Sequence, residues 1–296
     1  MKHVAPLRST PSRLTKALTA PCGASHPSPT VRGMPFTQSL PRALSPSRLE
    51  DFQRCPRRYQ YASIERRRQP ATYATVKGRV VHHVLESLFA VDAEARTTDV
   101  AWSALPGALD TVLSEEVRAD LALDDELARR LRDDAARVIT SYFTMEDPGA
   151  VHVEGVELRL HATVNGAPLL GILDRLDRDE HGELVIVDYK TGSIPSRAFD
   201  TATFANTELY AALCESTLGE RPTRIRLLYV THGEAMERAV SAVVLDARVR
   251  AASSAWTRIT RYYESGEFPA TPSRSACRFC PYTDVCRESG VAVVTG

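Results

Sequence analysis

The chain reads as an α/β protein with a mixed β-sheet flanked by helices, and three observations predict it. Short β-branched runs at Val151 to Leu160, Leu169 to Leu176 and Leu184 to Val187 are separated by Asn165-Gly166 and Asp179-Glu180-His181-Gly182, turn chemistry that specifies an antiparallel meander. Segments on either side place apolar residues every three or four positions, the period of an amphipathic helix. The order helix, helix, three strands, helix, strand, strand, helix then requires a mixed sheet with helices packed on it.

Residues 1–40 precede any element. No acid occurs before Glu50, and the stretch is rich in Ser, Thr, Pro and Arg, so it buries too little apolar surface to offset ordering entropy and is predicted to be disordered. It has the composition of an organelle transit peptide without the amphipathic period, and a start at Met34 is the alternative. The folded domain is expected over 41–290. Ser45-Pro46 is a helix entry, with serine capping free amides and proline pre-set for the first helical position. That helix is expected to run through Leu49, Phe52, Cys55 and Tyr59, turning Cys55 inward. A second helix from Val76 to Phe89 carries Gly78 and His82 one turn apart. Residues 91–147 are rich in Ala, Leu, Arg and Asp and read as a helical insertion, broken at Pro106-Gly107.

After the meander, Phe204 to Glu215 has helical character, and strand-like runs follow at Arg224 to Val230 and Ala239 to Leu245. A long helix from Asp246 to Gly266 uses Val249, Ala252, Trp256 and Ile259 as its buried stripe. A cysteine-rich segment over 272–290 closes the domain.

Composition excludes several functional classes. Lys plus Arg and Asp plus Glu balance at 37 each, so long-range charge does not select a polyanion, and nucleic-acid binding must come from local patches. No apolar run is long enough to span a membrane. No GxxxxGK[ST] loop is present, so the chain has no nucleotide-driven motor of its own. The six cysteines accompany no secretory signal in a chain too large to need staples, so reduced thiols and a cytoplasmic location are expected.

The run Gly171-Ile172-Leu173-Asp174-Arg175-Leu176-Asp177 is followed, across a hairpin, by Val187-Asp188-Tyr189-Lys190-Thr191-Gly192. Strand alternation puts Asp188 and Lys190 on one side with Tyr189 opposite, and the hairpin lets Asp174 approach Asp188. Two carboxylates about 4 Å apart repel by about 4 kcal/mol at an effective dielectric near 20, so a hard divalent cation is the natural partner. Such an ion would lower the pKa of bound water and offset charge on a phosphate, with Lys190 orienting or helping to deprotonate the water. The same residues also fit an ordinary Asp–Lys pair at a strand end. Glu154 and Glu157, one strand earlier, could each face the site, but they read more simply as surface glutamates and are left out of it.

These two motifs closely resemble the RecB-like branch of the PD-(D/E)XK nuclease superfamily, including the nuclease domains of RecB and AddB and the CRISPR-associated RecB-like nucleases. The resemblance implies a restriction-endonuclease-like core and a Mg2+- or Mn2+-dependent deoxyribonuclease, an exonuclease of DNA repair or recombination. Gly78-x3-His82 is similar to the family's G-x-x-x-H element, which makes His82, Asp174 and Asp188 implied metal ligands, the Tyr189 carbonyl a fourth, and Lys190 the catalytic lysine. Asn206 to Tyr210 stands where the family has Q-x-x-x-Y, with Asn206 one methylene shorter than the usual glutamine and Tyr210 retained.

Cys277-x2-Cys280-x5-Cys286, with Cys55 far upstream, is a thiolate set suited to an iron–sulfur cluster or to tetrahedral zinc. Likeness to AddB and its relatives implies a 4Fe-4S cluster tying the first helix to the tail. Cys22 and Cys214 are not needed for it. Arg57, Arg58, Arg66, Arg67, Arg68, Lys77 and Arg79, with Tyr59, Tyr61 and Tyr73 interleaved, suggest a single-strand DNA surface on which bases stack, or a solvated basic helix face. A helicase or repair partner follows from the resemblance. The alternatives are a DNA-binding scaffold subunit that has lost turnover and a nuclease of CRISPR adaptation.

Overall fold

The computed structural model describes residues 36–195 and 200–288. Of the stretch expected to lack structure, only 36–40 fall among them, and there Phe36 stacks on Tyr263 with ring centroids 5.4 Å apart. Helix α1 (Pro46–Arg54) begins as its sequence dictates, with Ser45 accepting from the Arg48 amide. It does not run on to Tyr59. Cys55 is extended (φ −166°, ψ 120°), and a new short helix, α2 (Pro56–Tyr59), starts at Pro56 before passing into a π-helical turn at Gln60–Ile64. The cause is local: proline disfavours the α conformation in the residue before it. Cys55 is therefore a half-buried joint and not part of the apolar stripe.

Helix α3 (Tyr73–Phe89) is capped by Thr72 and Thr75 and buries Val76, Val80, Val81, Val84, Leu85 and Leu88. The insertion folds as α4 (Thr98–Val112), α5 (Glu115–Leu121) and α6 (Asp125–Tyr142). Pro106-Gly107 does not break α4 as expected. Both residues lie on its exposed face, where water can satisfy the carbonyl that proline leaves free. The real breaks come at Leu113-Ser114 and at Ala122, the latter with a left-handed backbone.

The sheet runs β1 (His152–Val164), β2 (Ala167–Arg178), β3 (Leu184–Tyr189), β4 (Arg224–Tyr229) and β5 (Glu234–Ala239), in that spatial order. The first three strands are antiparallel, β3 and β4 are parallel, and β4 and β5 are antiparallel, as a mixed sheet requires. Helix α7 (Asp200–Leu218) makes the crossover between the parallel pair. Strand β5 precedes the expected run, because Ala242 onward opens α8 (Ala242–Ser265) and leaves Val243 on the surface. A last short helix, α9 (Arg274–Arg278), carries the first of the tail cysteines.

Period-two alternation divides the wholly buried β3 between two cores. Leu184 and Ile186 pack with α1, α7 and α8, while Val185, Val187 and Tyr189 pack with α3 and the insertion. The end of β3 is therefore held from both faces of the sheet. No helix among the described residues is long and apolar enough to cross a membrane.

Candidate metal centre at the sheet edge

The strand register aligns three acids. Arg175 pairs with Val156 on β1 and with Val187 on β3, so one residue back along β2, Asp174 falls opposite Glu157 on one side and Asp188 on the other. Glu157, Asp174 and Asp188 thus form a row across three adjacent strands, spaced by the strand separation of about 4.8 Å. Glu157 has a left-handed backbone, φ 45°, uncommon for a residue with a side chain. Asp174 Oδ2 accepts the Tyr189 amide at 2.8 Å, which brings the carboxylate against the end of β3.

His82 reaches this row from α3. Its Nδ1 lies 3.4 Å from Asp174 Oδ1 and its Nε2 lies 3.1 Å from the Tyr189 carbonyl oxygen. Gly78, one turn earlier, explains how the helix comes so close: a Cβ there would meet Thr191 Oγ1 at 2.9 Å, below normal contact. The helical G-x-x-x-H spacing is thereby a packing device as well as a ligand signal. One ligand atom from each of His82, Glu157 and Asp174 lies within 4.8 Å of the others, and this is the set the structure gathers among the described residues. Glu157, read from the sequence as a surface group, belongs to it, whereas Asp188 stands one strand further in.

Asp188 is buried, and Lys190 Nζ lies 2.5 Å from its Oδ2. That oxygen nevertheless has no aligned hydrogen-bond donor, so part of its acceptor capacity is unspent. Burial, reinforced by Asp174, raises the Asp188 pKa, with Lys190 opposing the rise. Glu157 is raised by burial and then by Asp174. Burial disfavours charge on His82 and on Lys190, yet the surrounding carboxylates outweigh it and both are raised. Each shift reports an excess of negative charge in a confined space. A divalent ion fits: it would neutralise the acids and fill the unspent oxygen, and an imidazole with carboxylate oxygens suits Mg2+ or Mn2+.

The site opens into a cleft of ≈ 760 Å³ bordered by Arg79 and His82 of α3, Thr111 of α4, Glu157, Ile172 and Thr191. Tyr210 stands behind the row: Gly171 has no side chain because its Cβ would lie 2.7 Å from the Tyr210 ring. Burial raises the Tyr210 hydroxyl, with Asp188 and Asp174 contributing. Asn206 is not gathered with the lysine; its Nδ2 donates to Glu50 Oε2 on α1 at 3.0 Å.

Cys55, Cys277, Cys280 and Cys286 line one cavity between the α1–α2 joint and the tail. The tail is held there by Tyr282, which is buried against Tyr61 and accepts from Gln69 Nε2 at 2.7 Å. Among the described residues no three of these sulfurs lie within 4.8 Å of one another, so a closed tetrahedral ion site is not assembled.

The expected stacking surface does not form. Tyr59 is buried against Phe52 and Phe268, Tyr61 is buried against Tyr282, and Tyr73 donates to Asp134. Arg58 pairs with Asp51, Arg67 with Glu65, and Arg68 with Glu116 and Asp120, so much of the basic run is neutralised internally.

Comparison with known proteins agrees with this architecture. The sequence profile of the PD-(D/E)XK nuclease superfamily matches residues 43–287. No curated protein matches the chain. Among solved structures, the chain is similar to a putative exonuclease from Eubacterium rectale at 12% identity and a TM-score of 0.46, covering 77% of this chain and 83% of that one. It is also similar to SSO0001 at 14% identity and a TM-score of 0.30, covering 82% of this chain and 93% of that one. At these scores neither likeness bears on activity. The profile match takes in both core layers, the row of acids and the four clustered cysteines, and the chain belongs to the PD-(D/E)XK nuclease superfamily.

Proposed function

We propose that the protein is a Mg2+- or Mn2+-dependent deoxyribonuclease of the RecB-like branch, acting as an exonuclease in DNA repair or recombination. The observation that carries this reading is the row Glu157, Asp174 and Asp188 across three strands, with His82 against Asp174 and Lys190 against Asp188. A bound divalent ion would supply Lewis acidity and a water of lowered pKa. His82, Glu157 and Asp174 would hold it, with Asp188 and the Tyr189 carbonyl as neighbouring donors. Lys190, fixed at the strand end and charge-paired with Asp188, offers an ammonium to a phosphate oxygen where negative charge builds. Arg79, exposed at the cleft, offers a second cation to the nucleic-acid backbone.

The four cysteines around one cavity support a 4Fe-4S cluster. Tetrahedral zinc on the same thiolates is the alternative, and iron analysis separates the two. A repair helicase would be a fitting partner for a nuclease without its own motor.

The test is digestion of end-labelled single- and double-stranded DNA with Mn2+. Wild-type protein should shorten strands from an end, while Asp174→Ala, Asp188→Ala and Lys190→Ala each lose about 100-fold or more in rate with an unchanged circular dichroism spectrum. Undiminished cleavage in the Asp188 and Lys190 variants overturns the assignment. Binding without cleavage by the wild type returns the scaffold-subunit reading.

A further inference from the structure

Beneath the row of acids lies a buried cation that the proposed chemistry does not use. Arg175 follows Asp174 on β2 and is fully buried. Its Nε and Nη2 donate to the two carboxylate oxygens of Asp177 at 2.8 and 2.9 Å. Its Nη1 donates to Glu146 Oε1 at 2.6 Å, to the Tyr189 hydroxyl at 2.8 Å and to the Tyr142 hydroxyl at 3.3 Å. The guanidinium also lies over the Phe89 ring, 4.4 Å from its centroid. One side chain thus touches the last turn of α3, the insertion at Tyr142 and Glu146, its own strand, and Tyr189 of β3.

Tyr189 links this buried node to the site. Its hydroxyl end receives Arg175, its ring meets the His82 ring edge-on at 5.9 Å, its amide donates to Asp174, and its carbonyl faces His82. The chain's alternation therefore sets Asp188 and Lys190 towards the site and Tyr189 away from it, pinned by a guanidinium from the adjacent strand. The Glu146 and Asp177 carboxylates face two cations, the buried Arg175 and Arg226, whose Nη1 is 3.5 Å from Glu146 Oε2.

We propose that Arg175 is a positioning residue: acting through Tyr189, it fixes His82 and Asp174 for the cation and couples the helical insertion to the site. This deepens the metal-centre reading and depends on it. Metal-ligating groups need a supporting layer to hold them in register, and loss of such partners typically weakens metal binding about 10- to 100-fold. The insertion then serves as the outer buttress of that layer, in addition to bordering the cleft.

The test measures Mn2+ affinity directly, by electron paramagnetic resonance of free Mn2+, alongside circular dichroism and thermal unfolding. Tyr189→Phe removes one hydroxyl and keeps the ring and the carbonyl. The triple variant Arg175→Met, Glu146→Gln, Asp177→Asn removes Arg175 with both of its carboxylates, so no carboxylate is stranded, and Arg226 keeps Glu237 as its partner. Both should fold and bind Mn2+ about 10-fold more weakly than wild type. Should the triple variant fail to fold, Tyr189→Phe decides alone. A lowered melting temperature with an Mn2+ affinity within two-fold of wild type would mean that the network is only structural, and the proposal falls. His82→Ala separates the two levels: if it leaves wild-type Mn2+ binding intact, the metal-centre reading itself has failed and takes the proposal with it.

Discussion

Glu157 is the residue at which register decides chemistry. It sits opposite Asp174 on a left-handed backbone, and burial together with Asp174 raises its pKa. A raised carboxylate pKa means that the folded state binds the proton more tightly than the unfolded state, so stability is fully present below the unfolded value and declines as pH rises through the folded one. In chelator, Glu157→Gln should therefore be more stable than wild type at neutral pH, with the difference closing below about pH 4. Mn2+ should reverse the order, because a ligand carboxylate binds in its ionised form. Urea unfolding at several pH values, with and without Mn2+, checks both signs, and an unchanged order would remove Glu157 from the ligand set. The signal for Glu157 was present in the sequence. Asn165 and Gly166 form a two-residue turn with positive φ at both positions, and seven steps out from its flanks reach Glu157 on one strand and Asp174 on the other. Reading strands for composition alone misses such a count. Asn206 shows the opposite limit, since nothing in its local sequence announces Glu50 as its partner.

At the scale of elements, two close approaches set the site, one between α3 and the turn after β3 and one between β2 and α7. Gly78→Ala would push a methyl group against the Thr191 hydroxyl, at the contact that seats the helix carrying His82. The expected outcome is a loss of about 10-fold or more in Mn2+ affinity, larger than any loss of stability suggests, since ligand placement tolerates little displacement. Gly171→Ala acts differently. Its methyl group would collide with Tyr210 and Leu213 under the sheet, which should cost about 1–3 kcal/mol by chemical denaturation. Most elements follow from periodicity: α3, the three-strand meander and the crossover helix were all legible. The departures have local causes. Cys55 precedes a proline, Pro106 faces water, and β5 is a charged edge strand, Glu234 to Ala239, whose sequence carries little apolar alternation. The apolar run beside it instead supplies the start of α8.

For the whole molecule, the α1–α2 joint and the cysteine-bearing tail meet at one cavity. A group bound there would cross-link α1 to the tail across most of the sequence and remove on the order of 4 to 5 kcal/mol of unfolded-chain entropy. Protein purified without oxygen should show iron, inorganic sulfide and a broad absorption in the visible range. Cys55→Ser and Cys286→Ser should lose both the colour and several degrees of melting temperature, whereas Cys214→Ser, a buried thiol elsewhere, should keep the colour. Colourless wild type containing zinc would replace the cluster with a single ion. The resemblance brought the four thiols to one place, whereas the fold-back of the segment beyond α8 onto α2 that forms their common cavity was not legible. Near the centre, Lys190 is anchored by its main chain: its amide donates to Leu228 in β4 and its carbonyl accepts from Val230 just after it. Its only freedom is in the four-carbon stem, so ornithine at this position would retract the charge by one methylene while leaving the sheet untouched, separating how far the amine must reach from whether it is needed at all.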